Sequence, residues 1–549
     1  MVAGLGVVAF VVLFHNLGGF RSLGSHEGYA IVPAREMLES GDWVVPRFAG
    51  LPRLRKPPLA YWVIASSAQV FGELDEWSAR FPAALSALLL SAVMGVWALR
   101  WYGTVAGLGA ALVQMTSVYV VIYGRKAEVD MLLCLVTTAC LFLVAHQPTN
   151  ETRSRQFLRW TAVYGLISIA WLAKFHYGPA MVLAVCGTYF LVQRRFRQIW
   201  NLANPAGLLA LVAAVLVWPW FVLQQLPEAW EIWREETLGR AVGDLGTEPL
   251  WYYVPHLVVL TLPWTPLIVA AIPRSWREAW KGGDARERFL WVWAGVQLAI
   301  VTVSADKHQH YLFATLPMFS LLAGRQFEAL SQRVANHGLS ISVPQAVLCA
   351  IVLLAGASGA AIYAVNQWPH LTVPAIAVSS VAAFGGCAAL WLLATHKPRM
   401  AGLAAMCAFL GTLIGVHDWI MPGQDHRLPA VQFAREIRST TPGGEIFAYG
   451  MGERNPVVFY LDSPVSRFES LEAVRAEMTR SKRTLILAYE SDVDSLDDVA
   501  SARELRRMTI EPAAELRPKH PPLVLLELTA SPAALDRARA AATGRPQRR

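Results

Sequence analysis

His26-Glu27-Gly28-Tyr29-Ala30, Arg35-Glu36-Met37, Gly41-Asp42-Trp43 and Lys56-Pro57-Pro58-Leu59-Ala60-Tyr61-Trp62 gather acids, bases and prolines in the first long break between two apolar segments. A plain connection between membrane helices is short, and one of roughly thirty residues or more commonly has a task of its own. The same stretch also reads as an amphipathic segment on the lipid headgroups, with Arg47, Arg53 and Arg55 pairing with phosphates, and the two readings are compatible. Ahead of it, residues 1–20 are apolar, with no preceding basic residue and no small-residue cleavage site. They read as a first membrane-spanning helix rather than a removable signal.

With 549 residues, 55% hydrophobic and 16% charged, and a mean hydropathy of +0.38, the chain is too apolar for one soluble domain. It reads as a polytopic α-helical membrane protein. Further apolar runs lie near 81–99, 105–122, 131–146, 160–173, 178–193, 205–223, 252–272, 289–304, 311–324, 344–365, 374–395 and 401–421. Together they predict about thirteen spans, since about 20 mainly apolar residues cross the hydrocarbon core. Cys134, Cys140, Cys186, Cys349, Cys387 and Cys407 all fall inside such runs, so neither disulfides nor a zinc site is expected of them. The net charge of +8 and pI near 9.2 come from basic residues scattered among loops and tail. Anionic lipid and phosphate are the partners that this bias fits, and nucleic acid is not expected.

Alternate loops orient the chain by their Lys and Arg content. With the N-terminus cytoplasmic, the inner loops carry Arg153-Arg155-Arg159, Arg194-Arg195-Arg197, Arg274-Arg277-Lys281-Arg286-Arg288, Arg325-Arg333 and Lys397-Arg399. The first outer loop, residues 21–80, breaks the bias with several arginines and Lys56, as a loop that binds a phosphate at the outer face does. An odd number of spans places residues 422–549 outside, which in a Gram-negative cell is the periplasm. His26, Glu27, Lys56, Arg125, Lys126, Glu128, Asp130, Lys174, His176, Arg240 and the run Asp306-Lys307-His308-Gln309-His310 then fall at outer helix ends or in outer loops. A single ionisable residue at a membrane boundary often only snorkels. Acids and bases recurring at several outer ends point instead to one cavity holding an anionic headgroup.

In order and rough spacing, Glu27, Tyr29-Ala30, Arg35-Glu36-Met37, Gly41-Asp42-Trp43, Pro46, Lys56-Pro57 and Tyr61-Trp62 resemble the bacterial lipid A aminoarabinose transferases. The likeness extends to the wider GT-C group of polyprenyl-phosphate-dependent membrane glycosyltransferases, which includes the protein O-mannosyltransferases. One departure is that His26 stands where the family has the first acid of an Asp-Glu pair. Ala127-Glu128-Val129-Asp130 matches the family's Ala-x-x-Asp, which makes Asp130 its second functional acid. Lys174 matches the lysine of a Lys-Gly step, but Phe175-His176-Tyr177 is inserted before Gly178. Arg240, followed by Pro249, Trp251-Tyr252-Tyr253 and Leu262-Pro263-Trp264, matches the block with a phosphate-binding arginine. Ser304-Ala305-Asp306-Lys307 followed by Tyr311 resembles the Ser-x-x-Lys…Tyr signature. The resemblance covers residues 1 to about 330 and is architectural beyond them.

The resemblance implies a transmembrane glycosyltransferase domain over residues 1–421 and a polyprenyl-phosphate-linked sugar as donor. Lys56 and Arg240, with Lys174 or Lys307, would hold the donor phosphate, and Glu27 or Asp130 would be the general base, with inversion at the anomeric carbon. Glu27 is preferred, because Asp130 starts a helix and can serve there as a cap. His26, Arg35, Arg125 and Tyr311 are accessory candidates. Family members with a metal carry an acid before the first-loop lysine and a histidine before the arginine; here Arg55 and Thr237 stand there, so no metal and no other cofactor is expected. His308 and His310, one residue apart, suit water or phosphate unless acids join them. Lipid A or another lipid or glycan is the implied acceptor, and a monomer the expected state.

After Met421-Pro422-Gly423, charge rises and the apolar runs shrink to Glu445–Tyr449, Thr484–Tyr489 and Leu523–Leu528, between helical patterns at Leu428–Ser439 and Leu471–Arg480. This predicts a small extracytoplasmic α/β domain over residues 422–549, ending in a basic tail. Tyr449-Gly450-Met451-Gly452-Glu453 is too weak a pattern for a nucleotide loop. Two other classes share parts of this profile. A lipid-linked sugar flippase would show internal repeats and broken helices near the midplane, and a non-catalytic scaffold would not need matched acids and lysines at its outer ends.

Overall fold

The computed structural model describes residues 2–146, 151–234, 248–303, 307–337, 343–425, 428–440, 446–451, 457–461, 467–468, 470–481, 483–497, 500–508 and 522–529. It divides into two compact units: residues 1–17, 54–361 and 376–416 form the first, and residues 18–53, 362–375 and 417–549 the second. In chain order the helices are α1 (Val2–Ala9, continued by a π-turn to Phe14), α2 (Ser25–Ser40), α3 (Leu59–Phe71), α4 (Glu76–Tyr102), α5 (Thr104–Thr116), α6 (Val118–Tyr123), α7 (Asp130–Ala145), α8 (Arg153–Lys174) and α9 (Tyr177–Val192). They continue as α10 (Pro205–Gln225), α11 (Tyr253–Leu260), α12 (Thr265–Trp280), α13 (Ala285–Val303), α14 (Pro317–His337), α15 (Val343–Gln367), α16 (Thr372–Ala394), α17 (Pro398–Gly415), α18 (Leu428–Thr440), α19 (Val457–Tyr460) and α20 (Leu471–Arg480).

The first unit is built around α4. Asp75 caps it, its carboxylate accepting from the Ser78 N–H at 2.7 Å while the Ser78 hydroxyl accepts from the Asp75 N–H at 3.0 Å. Small residues then let its neighbours approach closely. A Cβ on Gly107 of α5 would lie 2.9 Å from the Gly95 carbonyl of α4, and one on Gly324 of α14 would lie 2.6 Å from the Ala106 carbonyl. Trp97 fills the centre, fully buried and stacked on Trp293 of α13 at 5.5 Å. At one end of the unit the fully buried Glu287 accepts from the Tyr102 hydroxyl at 2.7 Å and the Ser275 hydroxyl at 2.5 Å, and pairs with Arg325 at 2.7 Å. That carboxylate ties α4, α12, α13 and α14 together, and its three partners are what make so deep a charge tolerable.

Among the described residues, five helices are long and apolar enough to cross a membrane, or six when the bent pair Leu250–Leu260 and Thr265–Trp280 counts as one span. The apolar helices Ala3–Phe14, Leu59–Phe71, Thr104–Thr116, Asp130–Ala145 and Tyr177–Val192 are shorter. About thirteen spans were expected; five or six pass by length and composition because many of the apolar runs sit in helices that are short or carry charge. In the long helices α15 to α17 few apolar side chains are fully buried, as on helices with a face toward lipid.

In the second unit, β1 (Arg47–Phe48) and β2 (Leu51–Pro52) form a hairpin whose two turn residues, Ala49 and Gly50, both have positive φ (50° and 78°). That is the turn a right-twisted hairpin favours, although alanine is an unusual occupant. Glu36 of α2 compensates: its carboxylate accepts the Ala49 N–H at 2.6 Å and the Gly50 N–H at 3.2 Å. Five further strands, β3 (Ile446–Tyr449), β4 (Arg467–Phe468), β5 (Arg483–Tyr489), β6 (Ser501–Arg507) and β7 (Leu523–Thr529), form a sheet in the order β4-β3-β5-β7-β6. β3 runs parallel to β4 and β5, while β7 is antiparallel to β5 and β6. The α2 segment belongs with the late part of the chain: the Ser22 N–H reaches Asp425 at 2.5 Å, the Leu23 N–H reaches the Tyr460 hydroxyl at 3.0 Å, and Arg35 donates to the Phe459 carbonyl at 2.5 Å. A division at residue 421 on sequence thus differs from the packing, which groups residues 18–53 with those after 417.

Candidate functional site

Asp130 is the first residue of α7, just ahead of the apolar run, and the N-cap position before it is held by Val129. Lys174 is the last residue of α8. A carboxylate at a helix start and an ammonium at a helix end each sit where the helix dipole favours them. The fold brings the two together, Nζ to Oδ1 at 2.9 Å, with Asp130 only 7% exposed. The Lys174 ammonium also lies over the rings of Tyr177 at 5.3 Å and Tyr311 at 5.0 Å. Burial alone would raise the Asp130 carboxyl, but Lys174 first, then His310 and Lys56, outweigh it and hold the group below the usual carboxylate range. His310, ahead of its own apolar run, is pushed down to about 3 by burial and by Lys174, His308 and Lys56, against the pull of Asp130. It is therefore a neutral imidazole at pH 7.

Around this pair, the His308 and His310 rings stack at 5.2 Å, and Gln309 donates to the Tyr123 hydroxyl at 2.7 Å. Lys126 sits over the Tyr123 ring at 4.0 Å and pairs with Glu128 at 4.0 Å. Lys307, 9% exposed, donates to the Glu248 carbonyl at 3.2 Å. Of the residues singled out in sequence, Asp130, Lys174, Lys56 and Tyr311 thus share one neighbourhood within the first unit. Arg240 lies outside the described residues.

Other candidates have different surroundings. Arg125 points inward, 1% exposed, and donates to the carbonyls of Val12 at 3.0 Å and His15 at 2.6 Å, where it holds the end of the first helix. Glu27 belongs to the second unit and is 1% exposed; its carboxylate accepts the Gly24 N–H at 2.7 Å and lies 3.6 Å from Arg21. Glu27 is thereby engaged as the acid of the cap at the start of α2. Arg35 packs over the Phe459 ring at 5.2 Å besides bonding that residue's carbonyl, and His26 is exposed, edge-on to Tyr29 at 6.0 Å. Among the described residues, no group of three or more His, Cys, Asp or Glu is placed to hold a metal.

Sequence reasoning passed over Tyr177 as a site residue, and read His310 with His308 as suited to water or phosphate rather than as a neighbour of Asp130 and Lys174. The signal available for Tyr177 was the insertion itself, since three added residues after a matched lysine must re-aim either the lysine or the helix that follows.

Residues 55–222 match the family model of the dolichyl-phosphate-mannose-protein mannosyltransferases. The undecaprenyl phosphate-alpha-4-amino-4-deoxy-L-arabinose arabinosyl transferase of Pectobacterium carotovorum subsp. carotovorum is 30% identical over 399 residues, which is 70% of this chain and 69% of that protein. The arabinosyl transferase 2 of Sodalis glossinidius is 29% identical over 360 residues, and the chain spans 64% of its length, a little under two thirds. ArnT from Cupriavidus metallidurans in the apo state has the same fold, with a TM-score of 0.77 at 22% identity over 97% of this chain and 99% of that one. Its structure bound to undecaprenyl phosphate matches equally, TM-score 0.77 over 96% and 98% of the two chains. The 30% identity across more than two thirds of the Pectobacterium protein, carried on a common membrane fold, means that this chain belongs to the family of undecaprenyl phosphate-aminoarabinose arabinosyl transferases.

Proposed function

We propose that this protein is an integral membrane glycosyltransferase that moves a sugar from a polyprenyl-phosphate donor to a hydroxyl of lipid A or another lipid or glycan acceptor. It works as a monomer at the outer face of the bacterial inner membrane, with its N-terminus cytoplasmic, about thirteen spans, and residues 422–549 forming a periplasmic α/β domain. The observation that carries the reading is the buried Asp130–Lys174 pair at 2.9 Å with Lys56 acting on the same carboxylate. Such a set supplies both a proton acceptor and cations for a phosphodiester.

The acceptor oxygen attacks the anomeric carbon from the face opposite the phosphate, the carbon–oxygen bond to the phosphate breaks, and polyprenyl phosphate leaves with the electron pair. Lys56, Lys174, Arg240 and Lys307 are the cations assigned to that developing charge, so a metal is not needed for departure. The hydroxyl proton passes to a carboxylate, and the product is inverted. Asp130 is assigned as the base, with Glu27 the other candidate, because Asp130 is the acid already among the cations. Before the donor arrives, Lys174 neutralises Asp130 and weakens it as a base. A phosphodiester drawing the ammonium toward itself restores that basicity, so the base is active only when donor is bound.

The test is purified protein in proteoliposomes with undecaprenyl phosphate and with its aminoarabinose-linked form. Binding of the former and transfer from the latter to lipid A, with inverted product, is the expected result. Protein that binds undecaprenyl phosphate but moves labelled lipid between leaflets without transfer would make it a flippase.

A further inference from the structure

Resting on that reading of the site, we infer that Tyr177 is a positioning residue that aims the Lys174 ammonium and fixes Tyr311. The residue belongs to the inserted segment Phe175-His176-Tyr177, so its placement follows from how that segment turns. Phe175 closes α8 with φ of 46°, a left-handed conformation that a bulky residue adopts only when its surroundings enforce it. Here the enforcement is aromatic: the Phe175 ring packs on Trp171 at 5.5 Å and on Trp218 at 6.4 Å. The chain reverses within two residues, and α9 begins at Tyr177 itself.

Two contacts follow from this reversal. The Tyr177 hydroxyl donates to the Tyr311 carbonyl at 3.0 Å, tying the start of α9 to the segment bearing His308 and His310. The two rings, with centroids 5.8 Å apart, form a pair of faces over which the Lys174 ammonium sits at 5.3 and 5.0 Å. A lysine side chain has four rotatable bonds and no geometric preference of its own. With two ring faces beside it and Asp130 at 2.9 Å, its range of directions is narrowed. A lysine followed directly by glycine would lack this shelf. Tyr177 need not touch the donor, because it acts through Lys174.

The experiment measures undecaprenyl phosphate affinity of the full-length protein in detergent for the parent, Tyr177→Phe, Tyr177→Leu, Lys174→Gln and the double variant Tyr177→Leu/Lys174→Gln. Tyr177→Phe keeps the ring and should stay within about threefold of the parent, while Tyr177→Leu should bind about tenfold more weakly, the scale of a partly buried cation–π contact. In the Lys174→Gln background the leucine substitution should cost no more than about twofold, because the group it positions is gone. A purely structural role would give the same loss in both backgrounds, and that result overturns the inference, as does parent-like binding by Tyr177→Leu. If Tyr177→Leu does not fold, Tyr177→Gln, which retains a hydrogen-bond donor but no ring, carries the same comparison. A parent that does not bind undecaprenyl phosphate refutes the transferase reading itself, and is told apart from failure of the inference because no variant enters into it.

Discussion

The Lys174 ammonium meets the Asp130 carboxylate at 2.9 Å, and the two side chains are 18% and 9% exposed. A pair this buried is costly to break from one side, because the remaining charge is left without its partner; the loss is about 3–5 kcal/mol. Lys174→Met should therefore lower thermal stability strongly, and Asp130→Asn added to it should recover much of the loss. Unfolding of the single and double variants in detergent reads this directly. Equal stability of Lys174→Met and the parent would mean that Asp130 finds other compensation, with Lys56 a second cation acting on it.

Lys56 is half-buried just ahead of α3, and it is one of the charges that depress Asp130. A charge-assisted contact to a phosphate contributes about 1.5–3 kcal/mol, so Lys56→Ala should weaken undecaprenyl phosphate binding about ten- to a hundredfold. It should lower the melting temperature less than loss of Lys174 does, because Lys56 ranks after Lys174 among the charges acting on Asp130. Unaltered affinity would remove Lys56 from the phosphate site.

Much of the site was legible because charge in an apolar chain is conspicuous. Asp130, Lys174 and Lys56 stand out at the ends of runs such as 131–146, and the strands at 446–449, 483–489 and 523–529 fall on the expected apolar runs. Direction was not legible. Arg125 turns inward to carbonyls more than a hundred residues away, and no local pattern encodes that choice. The cap on α2 was hidden for a different reason: the N-cap is Gly24, which has no side chain, so only the Glu27 half of the motif exists. β6 was missed because Ser501–Arg507 is charged and mostly exposed on both faces, as an edge strand can be, and shows no apolar alternation.

Glu36 holds the hairpin turn, and the form of substitution should matter. Glu36→Ala leaves the Ala49 and Gly50 N–H groups without their acceptor and leaves Ala49 in a left-handed conformation, for a cost of about 1–3 kcal/mol. Glu36→Gln keeps an acceptor and should cost far less. Burial raises the Glu36 carboxyl despite the opposing bonds from Gly50 and Ala49 and the nearby Arg35. The folded protein therefore holds this proton more tightly than the unfolded chain, and the contribution is greatest at low pH and declines as pH rises through the carboxyl range. Thermal melts of both variants across pH 4–7 test the sign.

His310 gives the opposite slope. Its value falls from 6.5 to about 3 in the folded protein, so the unfolded chain binds the proton more readily. Stability from this group is complete above pH 6.5 and declines as the pH drops toward 3. The parent should thus lose more stability than His310→Asn on going from pH 7 to pH 5. Parallel losses in the two proteins would place His310 in contact with water, its charge freely accommodated.

The two acids can be separated by paired amide substitutions. Glu27 is engaged at the start of α2, accepting the Gly24 N–H at 2.7 Å, and a glutamine can accept that bond as well. What Glu27→Gln removes is a negative charge at a helix N-terminus beside Arg21, so the variant should lose stability yet turn over close to the parent. Asp130→Asn still offers Lys174 an oxygen but can no longer take a proton. Turnover should fall by about 10²–10⁴, the usual contribution of a general base. Donor affinity should hold or rise, since Lys174 is no longer drawn to a carboxylate and is freer to meet the phosphate. That combination, slow chemistry with intact or tighter binding, distinguishes loss of a base from loss of a binding group. A folded but inactive Glu27→Gln beside an active Asp130→Asn would instead give the proton to Glu27 and leave Asp130 as the anchor that keeps Lys174 in place.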